Sequence, residues 1–170
     1  MTWTVDDDGP ADFSTIQAAI DAASPDDAIF VSDGTYNENL TVNKADLYLK
    51  SVNGAAATTI NGAALGTVVD ITASKVRVTG FTITGSKVIA VGENVFTDCG
   101  MTLTGVTNCI ILDNTVNYAG GIGIKLQGAD GNTIQGNSIA GSSIAGIALF
   151  GSSNNIVKNN SATGAIQSTS

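Results

Sequence analysis

The chain has 170 residues, of which 43% are apolar and only 5% aromatic, so a single domain must build its core from Val, Ile, Leu and Ala. Its 15 acidic and 7 basic residues give a net charge of −8, which argues against the basic footprint that nucleic-acid binding requires. No apolar run approaches the roughly 18 residues of a membrane span. We therefore expect neither a nucleic-acid partner nor a membrane span.

The N-terminal residues read as the start of a mature exported protein. Met1 directly precedes TWTVDDDG, which is typical of a first strand, and no secretory signal is visible. We therefore expect an extracellular or cell-surface location with the signal peptide already removed. The run Asp6-Asp7-Asp8 offers clustered oxygen ligands for Ca²⁺, but an acidic turn is the simpler interpretation because the Gly and Glu of a calcium loop are missing. No other cofactor is predicted.

Residues 13 to 23, FSTIQAAIDAA, are predicted to form a helix. Ser14 and Gln17 have the spacing of a capping box, and the apolar residues Ile16 and Ile20 fall on one helix face. The sequence Ser-Pro-Asp-Asp at 24–27 then ends the helix. This divides a single domain into an N-terminal strand and capping helix (1–27) and the remaining chain (28–170).

The second half of the chain repeats about every 23 residues, as the segments 101–114, 124–137 and 147–160 illustrate. Three columns of residues keep this spacing: Leu103, Leu126 and Leu149; Ile111, Ile134 and Val157; and Asn114, Asn137 and Asn160. Weaker copies upstream, at 40–49 and 69–78, recur at longer intervals and imply longer loops. The longest predicted excursion covers residues 86–99.

Short alternating strands with Gly and Asn corners at this period predict an all-β fold, a single-stranded parallel β-helix (solenoid) of about 5–6 coils with an N-terminal capping α-helix. Each coil would contain three short strands, and successive coils would stack at about 4.8 Å. Like residues would then form internal ladders, because one coil cannot bury its inner face alone.

Two columns of Asn predict structural ladders at the corners of the coils. One contains Asn114, Asn137 and Asn160, and the other contains Asn132 and Asn155 with Cys109 as a small apolar substitute. Asn tolerates left-handed backbone angles, and its amide can hydrogen-bond to the same amide on the next coil. The alternative is that these are polar turn residues on a solvated edge. The cysteines Cys99 and Cys109 allow either one bridge or two buried thiols.

The segments D8-GPADFSTIQAAIDA-A23 and I29-FVSDGTYN-E38 resemble the start of the right-handed parallel β-helices of the pectinesterase and pectate-lyase-like superfamily. In that superfamily the helix plugs the N-terminal end of the solenoid, and the Gly-Thr-Tyr-x-Glu corner leads into the first coils. The phrases DGTYNEN (33–39) and LKSVNG (49–54) are similar to non-catalytic repeats of archaeal cell-surface proteins. The recurring N-x-I-x-x-N pattern resembles the repeats of carbohydrate-interacting β-helix proteins.

The catalytic motifs of the superfamily do not appear in the chain. Pectinesterases have a Gln-Ala-Val-Ala-like and an Asp-Phe-Ile-Phe-Gly-like segment, and neither occurs here. Alternation predicts one outward column of Asp70, Thr102, Lys125 and Ala148, a second of Thr72, Thr104, Gln127 and Phe150, and a third face of Thr79, Leu112, Gln135 and Lys158. Arg77 is expected on another strand. One acid and one base about 10 Å apart lack the paired carboxylates of glycosidic chemistry, which favours a non-enzymatic protein without deciding between the two classes.

The residues that could contact a carbohydrate are predicted to be Tyr36, Asp70, Lys125, Gln127 and Phe150. Tyr118 and Phe150 could each be a stacking platform for a sugar ring or an anchor for a loop.

Two functions of different classes follow. The first is a non-catalytic extracellular cell-surface, sheath or filament protein that assembles through the ends or faces of the β-helix, with self-association through an uncapped C-terminal coil. The alternative is a module that binds extracellular polysaccharide, or a degenerate pectinesterase or pectate-lyase-like module. Concentration-dependent assembly would favour the first, and saturable glycan binding the second.

Overall fold

The computed structural model describes residues 1–86, 98–163 and the strand at 166–169. In this part of the chain there is one short helix, α1 (Ile16–Ala22), and 19 strands that form three parallel sheets. Most of the predicted excursion at 86–99 lies outside the described residues. Nothing in the described part is a helix long and apolar enough to cross a membrane.

From β2 onward the strands occur in a strict rotation, so that every third strand belongs to the same sheet; β1 adds one more strand to the sheet of β2. Sheet A contains β1 (Thr2–Val5), β2 (Ala28–Val31), β5 (Tyr48–Ser51), β8 (Arg77–Thr79), β11 (Ile110–Leu112), β14 (Thr133–Gln135) and β17 (Ile156–Lys158). Sheet B contains β3 (Gly34–Tyr36), β6 (Thr58–Asn61), β9 (Thr82–Thr84), β12 (Thr115–Asn117), β15 (Ser138–Ala140) and β18 (Ser161–Ala162). Sheet C contains β4 (Leu40–Val42), β7 (Val69–Ile71), β10 (Met101–Thr104), β13 (Ile122–Gln127), β16 (Ala145–Phe150) and β19 (Ile166–Thr169).

This rotation is a parallel β-solenoid, as the repeat predicted. Leu103, Leu126 and Leu149 are register partners in adjacent rungs of sheet C. The stack has about seven turns rather than 5–6, since sheet A has seven strands. The two sources of the difference are β1, which adds a rung before the first full coil, and the segment after Asn160, which forms β18 and β19.

The interior is filled by aliphatic columns that run the length of the stack. Sheet A contributes the column Ile29, Leu49, Val78, Ile111, Ile134 and Val157, and sheet B contributes Tyr36, Ile60, Ile83, Val116, Ile139 and Ala162. Most of these side chains are fully buried. Each buried Ile or Leu stabilises the fold by about 1.5–3 kcal/mol, so stacking supplies the main driving force.

Helix α1 covers the first coil, but its N-terminus is not held as predicted. Ile16, Ala19 and Ile20 are buried against the core, whereas the N-cap Thr15 makes no side-chain capping bond. The predicted capping box of Ser14 and Gln17 is therefore wrong.

The corner after β3 caps the helix instead. The backbone N–H groups of Ile16 and Gln17 donate to the two carboxylate oxygens of Glu38, at 2.8 and 2.9 Å. A carboxylate at this end also interacts favourably with the helix dipole. The Gln17 amide oxygen accepts from the N–H of Thr41, which fastens the helix to β4. The Gly-Thr-Tyr-x-Glu corner is thus the cap of a helix that begins well before it in the chain.

Asp27 joins the first strand to the first coil. Its carboxylate accepts hydrogen bonds from the amino group of Met1, from Nε1 of Trp3 at 3.1 Å and from the N–H of Ser24 at 2.9 Å. The bond from the amino group, followed by that from Ser24, lowers the pKa of Asp27 from 3.8 to about 2. Because the folded pKa is depressed, this contribution to stability is present above pH 3.8 and is lost as the pH falls towards 2.

Every strand of sheet A from β2 onward is preceded, two positions earlier, by a residue with left-handed backbone angles. These residues are Asp26, Asp46, Lys75, Asn108, Gly131 and Asn154. Asp, Asn and Gly are the types that adopt this conformation most readily. Lys75 is the exception, and its ammonium group forms an exposed ion pair with Asp46 of the preceding coil at 3.4 Å.

A second repeated feature is a column of glycines where sheet B passes into sheet C. Gly100, Gly123 and Gly146 recur with the same period as the Leu and Asn columns, and a Cβ on any of them would meet an inward side chain of sheet B. At Gly123 this Cβ would lie 2.4 Å from Cγ2 of Ile139 and 2.5 Å from the carbonyl oxygen of Gly146. At these three positions the surrounding atoms lie so close to the backbone that only glycine can be accommodated.

We predict that Gly123→Ala lowers the free energy of unfolding by about 1–3 kcal/mol, because the added methyl group overpacks against Ile139 and the next rung. Gly128→Asn is the matched control: Gly128 is left-handed with open space around it, and Asn tolerates that conformation. Urea denaturation followed by circular dichroism measures both. Equal stability of Gly123→Ala and wild type would contradict the packing explanation.

We also predict that Asp27→Asn lowers the melting temperature at pH 7 and flattens its decline between pH 4 and pH 2. The variant lacks the carboxylate whose depressed pKa generates that decline. The control is Asp26→Asn, an exposed neighbour in a left-handed conformation that Asn accepts. A variant whose pH profile runs parallel to that of wild type would show that Asp27 does not carry this dependence.

Candidate functional site

The two Asn columns lie inside the solenoid and form continuous ladders of amide hydrogen bonds. In the first, Nδ2 of Asn114 donates to Oδ1 of Asn137 at 3.2 Å, and Nδ2 of Asn137 donates to Oδ1 of Asn160 at 2.9 Å. In the second, Nδ2 of Asn132 donates to Oδ1 of Asn155 at 3.1 Å. Cys109 continues this second column, since its N–H donates to Oδ1 of Asn132 at 2.8 Å.

Each ladder Asn also satisfies backbone groups that the sheets leave open at the corners. The N–H of Asn137 donates to Asn160 Oδ1 at 2.9 Å, and its Nδ2 donates to the carbonyl of Ile111 at 3.0 Å. Asn114, Asn132 and Asn137 are at most 1% exposed. They are therefore buried structural groups and not polar residues on a solvated edge.

The backbone role expected of these Asn residues belongs to the residue before each of them. The left-handed positions are Asp113, Gly136 and Asn159 in one column, and Asn108, Gly131 and Asn154 in the other. The repeating structural unit is thus a dipeptide. Its first residue has left-handed backbone angles and turns the chain, and the side chain of its second residue points into the interior. The pairs DN, GN and NN in the sequence encode this unit.

The predicted carbohydrate-contacting residues of sheet C lie on its outward face. Register pairs Asp70 with Thr102 and Thr102 with Lys125, so the acid and the base are two rungs apart. The hydroxyl of Thr102 donates to Oδ1 of Asp70. Gln127 and Phe150 are register partners in the neighbouring column, and the Lys125 ammonium lies 5.9 Å from the centroid of the Phe150 ring.

An apolar cluster occupies the part of this face formed by β16, so less of the face is polar and open to a ligand. Ala148 shares the column of Lys125 but is fully buried, in a second hydrophobic cluster with Cys99, Ile122 and Ala145. Phe150 packs against that cluster. Its ring is consequently half-buried packing surface, closer to an anchor than to an open stacking platform.

Tyr36 does not belong to a carbohydrate site, contrary to the prediction. Its side chain is 2% exposed and its hydroxyl donates to the carbonyl of Ser32 at 3.2 Å. Burial, together with the negative charges of Asp7 and Asp6, raises the pKa of the Tyr36 phenol to about 12. Tyr118, by contrast, is 75% exposed at the corner after β12.

The acidic run Asp6-Asp7-Asp8 brings three carboxylates within 4.8 Å of one another. Oδ1 of Asp6 accepts from the N–H groups of Asp8 and Gly9, at 3.3 and 3.0 Å, which closes the turn after β1. These two hydrogen bonds explain the position of the Asp6 side chain as part of an acidic turn.

One expectation about sheet A is also corrected. Thr79, Leu112, Gln135 and Lys158 form the predicted outward column, but Arg77 lies on the same strand as Thr79 and not on another. The Arg77 guanidinium lies 5.3 Å from the centroid of the Tyr48 ring in the preceding rung. A groove of about 580 Å³ at the corner between sheets A and B is lined by Lys50, Thr79 and Asp113, and sequence patterns gave no signal for it.

The stacked three-sheet architecture and its internal ladders define a pectin-lyase-like parallel β-helix. A family model described as periplasmic copper-binding protein (NosD) matches residues 20–168, and the chain belongs to that family. It is also 38% identical over 109 residues to a cell surface glycoprotein of Methanothermus fervidus, which covers 63% of this chain and 16% of that protein. Both relationships indicate a location outside the cytoplasm.

Solved structures of similar fold include enzymes that act on polysaccharides. Pectin methylesterase PemA from Erwinia chrysanthemi superposes with a TM-score of 0.72 at 18% identity, over 94% of this chain and 54% of that one. An alginate lyase from Paenibacillus superposes with a TM-score of 0.60 at 19% identity, over 89% of this chain and 65% of that one. At these identities the likeness concerns the fold alone. The chain spans a sixth or less of the cell surface glycoprotein and just over half of PemA.

The residues present do not fit the copper site that the family description implies. Copper in proteins prefers imidazole, thiolate and thioether ligands, and the chain has no His. Of the two methionines, Met101 is buried and Met1 is exposed, so Met1 offers a single thioether. Burial raises the pKa of the Cys109 thiol and that of the Cys99 thiol, the latter to about 11. Across the described residues, the one cluster of three potential ligands is the carboxylate group Asp6-Asp7-Asp8, whose oxygens suit harder cations.

We predict that Asn137→Ala lowers the free energy of unfolding by roughly 2–5 kcal/mol, since it leaves donors on Asn114 and the carbonyl of Ile111 buried without partners. Asn154→Gly is the control, because Asn154 is exposed and left-handed and glycine keeps that backbone conformation. Thermal and chemical denaturation report the difference. A loss in Asn137→Ala no greater than in the control would argue against a structural ladder.

Proposed function

We propose that the chain is a non-catalytic structural module of an extracellular layer, sheath or filament at the cell surface, and that it assembles through the ends or faces of its β-helix. The relation to a cell surface glycoprotein supports this proposal, as does the periplasmic family. A rigid stack whose inward residues repeat at every rung is suited to a spacer or a building block.

The observation that carries the proposal is the construction of the last described rung, which we call the last rung. The described strands β17, β18 and β19 each pair on one side only. In the rungs above, the N–H of each ladder Asn donates to the Asn Oδ1 of the following rung. At the last rung Asn155 and Asn160 occupy the same positions, and Val157 and Ala162 are only partly buried. This surface is complementary to another rung of the same kind.

The outward residues support a non-catalytic role. On the described strands of sheet C, Asp70 is the only carboxylate, and it accepts a hydrogen bond from Thr102. Glycosidic chemistry requires a pair of carboxyl groups about 5–9.5 Å apart. A lone carboxylate beside a threonine does not provide an acid and a base.

A polysaccharide-binding module is the second candidate, and the arrangement of Lys125, Gln127 and Phe150 favours it. These side chains lie in adjacent rungs of the outward face of sheet C, with the cation over the ring. A cation, an amide and an aromatic edge are suited to a uronate or a neutral sugar. The burial of Ala148 next to Phe150 shortens this face, which is why the structural role ranks first.

We expect wild-type protein to associate with rising concentration, and Val157→Lys to reduce this association at least tenfold. The substitution places a charge in the apolar cross-section of the last rung, where a further rung would have to desolvate it. Light scattering and electron microscopy measure assembly.

The matched control is Ser153→Lys, which adds the same charge at an exposed corner of the same coil. Melting temperatures establish that both variants are folded. A wild-type chain that stays monomeric at every concentration, or that binds a glycan saturably through Lys125 and Gln127, would refute the structural proposal in favour of the second candidate.

A further inference from the structure

The outward face of sheet A has a composition unlike the rest of the chain. Seven strands present two outward residues each: Thr2 and Thr4, Ala28 and Phe30, Tyr48 and Lys50, Arg77 and Thr79, Ile110 and Leu112, Thr133 and Gln135, Ile156 and Lys158. We call these 14 positions the sheet A strip. The strip contains three of the seven basic residues and no carboxylate, in a chain with 15 acidic residues.

The strip also has apolar side chains open to solvent. Ile156 is 52% exposed, and Phe30, Tyr48, Ile110 and Leu112 are half-buried on this parallel sheet. The rings of Phe30 and Tyr48 meet edge to face at 6.2 Å, and Arg77 lies over Tyr48. Within the described residues, α1 makes its main contacts with β1, β2 and β4 at the first coils of the stack.

The complementary charge lies in the N-terminal part of the same chain. Residues 1–43 contain nine of the 15 acidic residues and no Lys or Arg. Asp7, Asp8 and Asp33 are exposed, and Asp7 and Asp33 both lie beside Gly34 at the corner between sheets A and B of the first coils. Solubility needs acidic residues, but it does not need them gathered at one end while one face stays free of them.

We propose that the sheet A strip binds the acidic N-terminal end of a second copy of this chain, forming a lateral contact. The inference rests on the proposed structural role, and it names a face that operates in addition to the last rung. Two different patches meet in this contact, so it is heterologous, and each copy keeps a second patch that can bind the next copy in a ring or a row.

The size of the strip sets the strength of the contact. With seven strands spaced by about 4.8 Å, and three residues per strand at a rise of about 3.3 Å each, the strip has an area of roughly 300 Å². A stable interface buries about 800 Å² on each partner. One lateral contact is therefore weak, and its dependence on paired surface charges makes it sensitive to salt.

The test uses the full 170-residue chain carrying Val157→Lys, so that association through the last rung is suppressed and only the lateral contact is measured. In this parent, one variant reverses the strip (Lys50→Glu, Arg77→Glu and Lys158→Glu), and the other reverses the acidic end (Asp7→Lys and Asp8→Lys). Sedimentation velocity at 50 and 500 mM NaCl measures association, and melting temperatures establish folding.

Each variant alone is expected to associate at least tenfold more weakly than the parent at 50 mM NaCl. An equimolar mixture should regain association, because each copy then meets a partner of opposite charge, and 500 mM NaCl should abolish it. The control variant Lys44→Glu, Lys75→Glu and Lys125→Glu makes the same change in net charge off the strip and should behave as the parent does.

Association of the strip variant as strong as that of the parent overturns the lateral contact, as does a folded mixture that regains nothing. If the strip variant instead loses binding to polygalacturonate or to anionic vesicles while association is unchanged, the strip serves that ligand and the proposal fails. Either result leaves the last-rung association of the wild-type chain as a separate measurement, so the structural role can survive the loss of this inference.

Discussion

The fold depends on one constraint: every inward position must be compatible with the same position one rung above and one rung below. The rungs are only about 4.8 Å apart, which leaves no room for a layer of water between them. Aliphatic columns meet this constraint by dispersion and burial. The Asn columns meet it by hydrogen bonding, because an amide offers a donor to one neighbour and an acceptor to the other. Glycines meet it at Gly123, where even a methyl group would clash.

The same constraint explains which features the sequence revealed. A requirement that acts between neighbouring rungs appears in the chain as identity at a fixed interval, so the leucine column and both Asn ladders were predictable from spacing. The glycine column at 100, 123 and 146 has the same spacing and could have been found by the same alignment. The number of rungs was underestimated because β1 and β18 have few aliphatic residues and carry little of the pattern.

Features that depend on contacts outside the repeat were not predictable. The helix cap comes from Glu38, which is far from Ile16 in the sequence, and a local capping box at Ser14 and Gln17 was the more obvious pattern. The burial of Tyr36 follows from its inward position in the sheet B column, which is known only when the coil is closed. The Asn residues were expected to have left-handed angles, yet the preceding residue takes that conformation, since an Asn that must aim its amide inward cannot also make the turn.

Inward residues are constrained by stacking, and outward residues are not. The fold of the family is therefore determined by one set of residues, and function depends on the other. Stacking fixes the interior of the chain, and a pectin methylesterase at 18% identity shares the same fold, so membership of the family defines the β-helix and not a ligand. The copper of the family description needs a set of soft donors that this chain does not gather at its surface: it has no His, both thiols and Met101 are buried, and only the thioether of Met1 is exposed. The outward positions are free of the stacking constraint, and the charges are distributed unevenly: nine of the 15 acidic residues lie in residues 1–43, and the outward face of sheet A has three of the seven basic residues and no carboxylate. Such an asymmetric distribution, on a scaffold that would tolerate a uniform one, is where a function of this chain has to be sought.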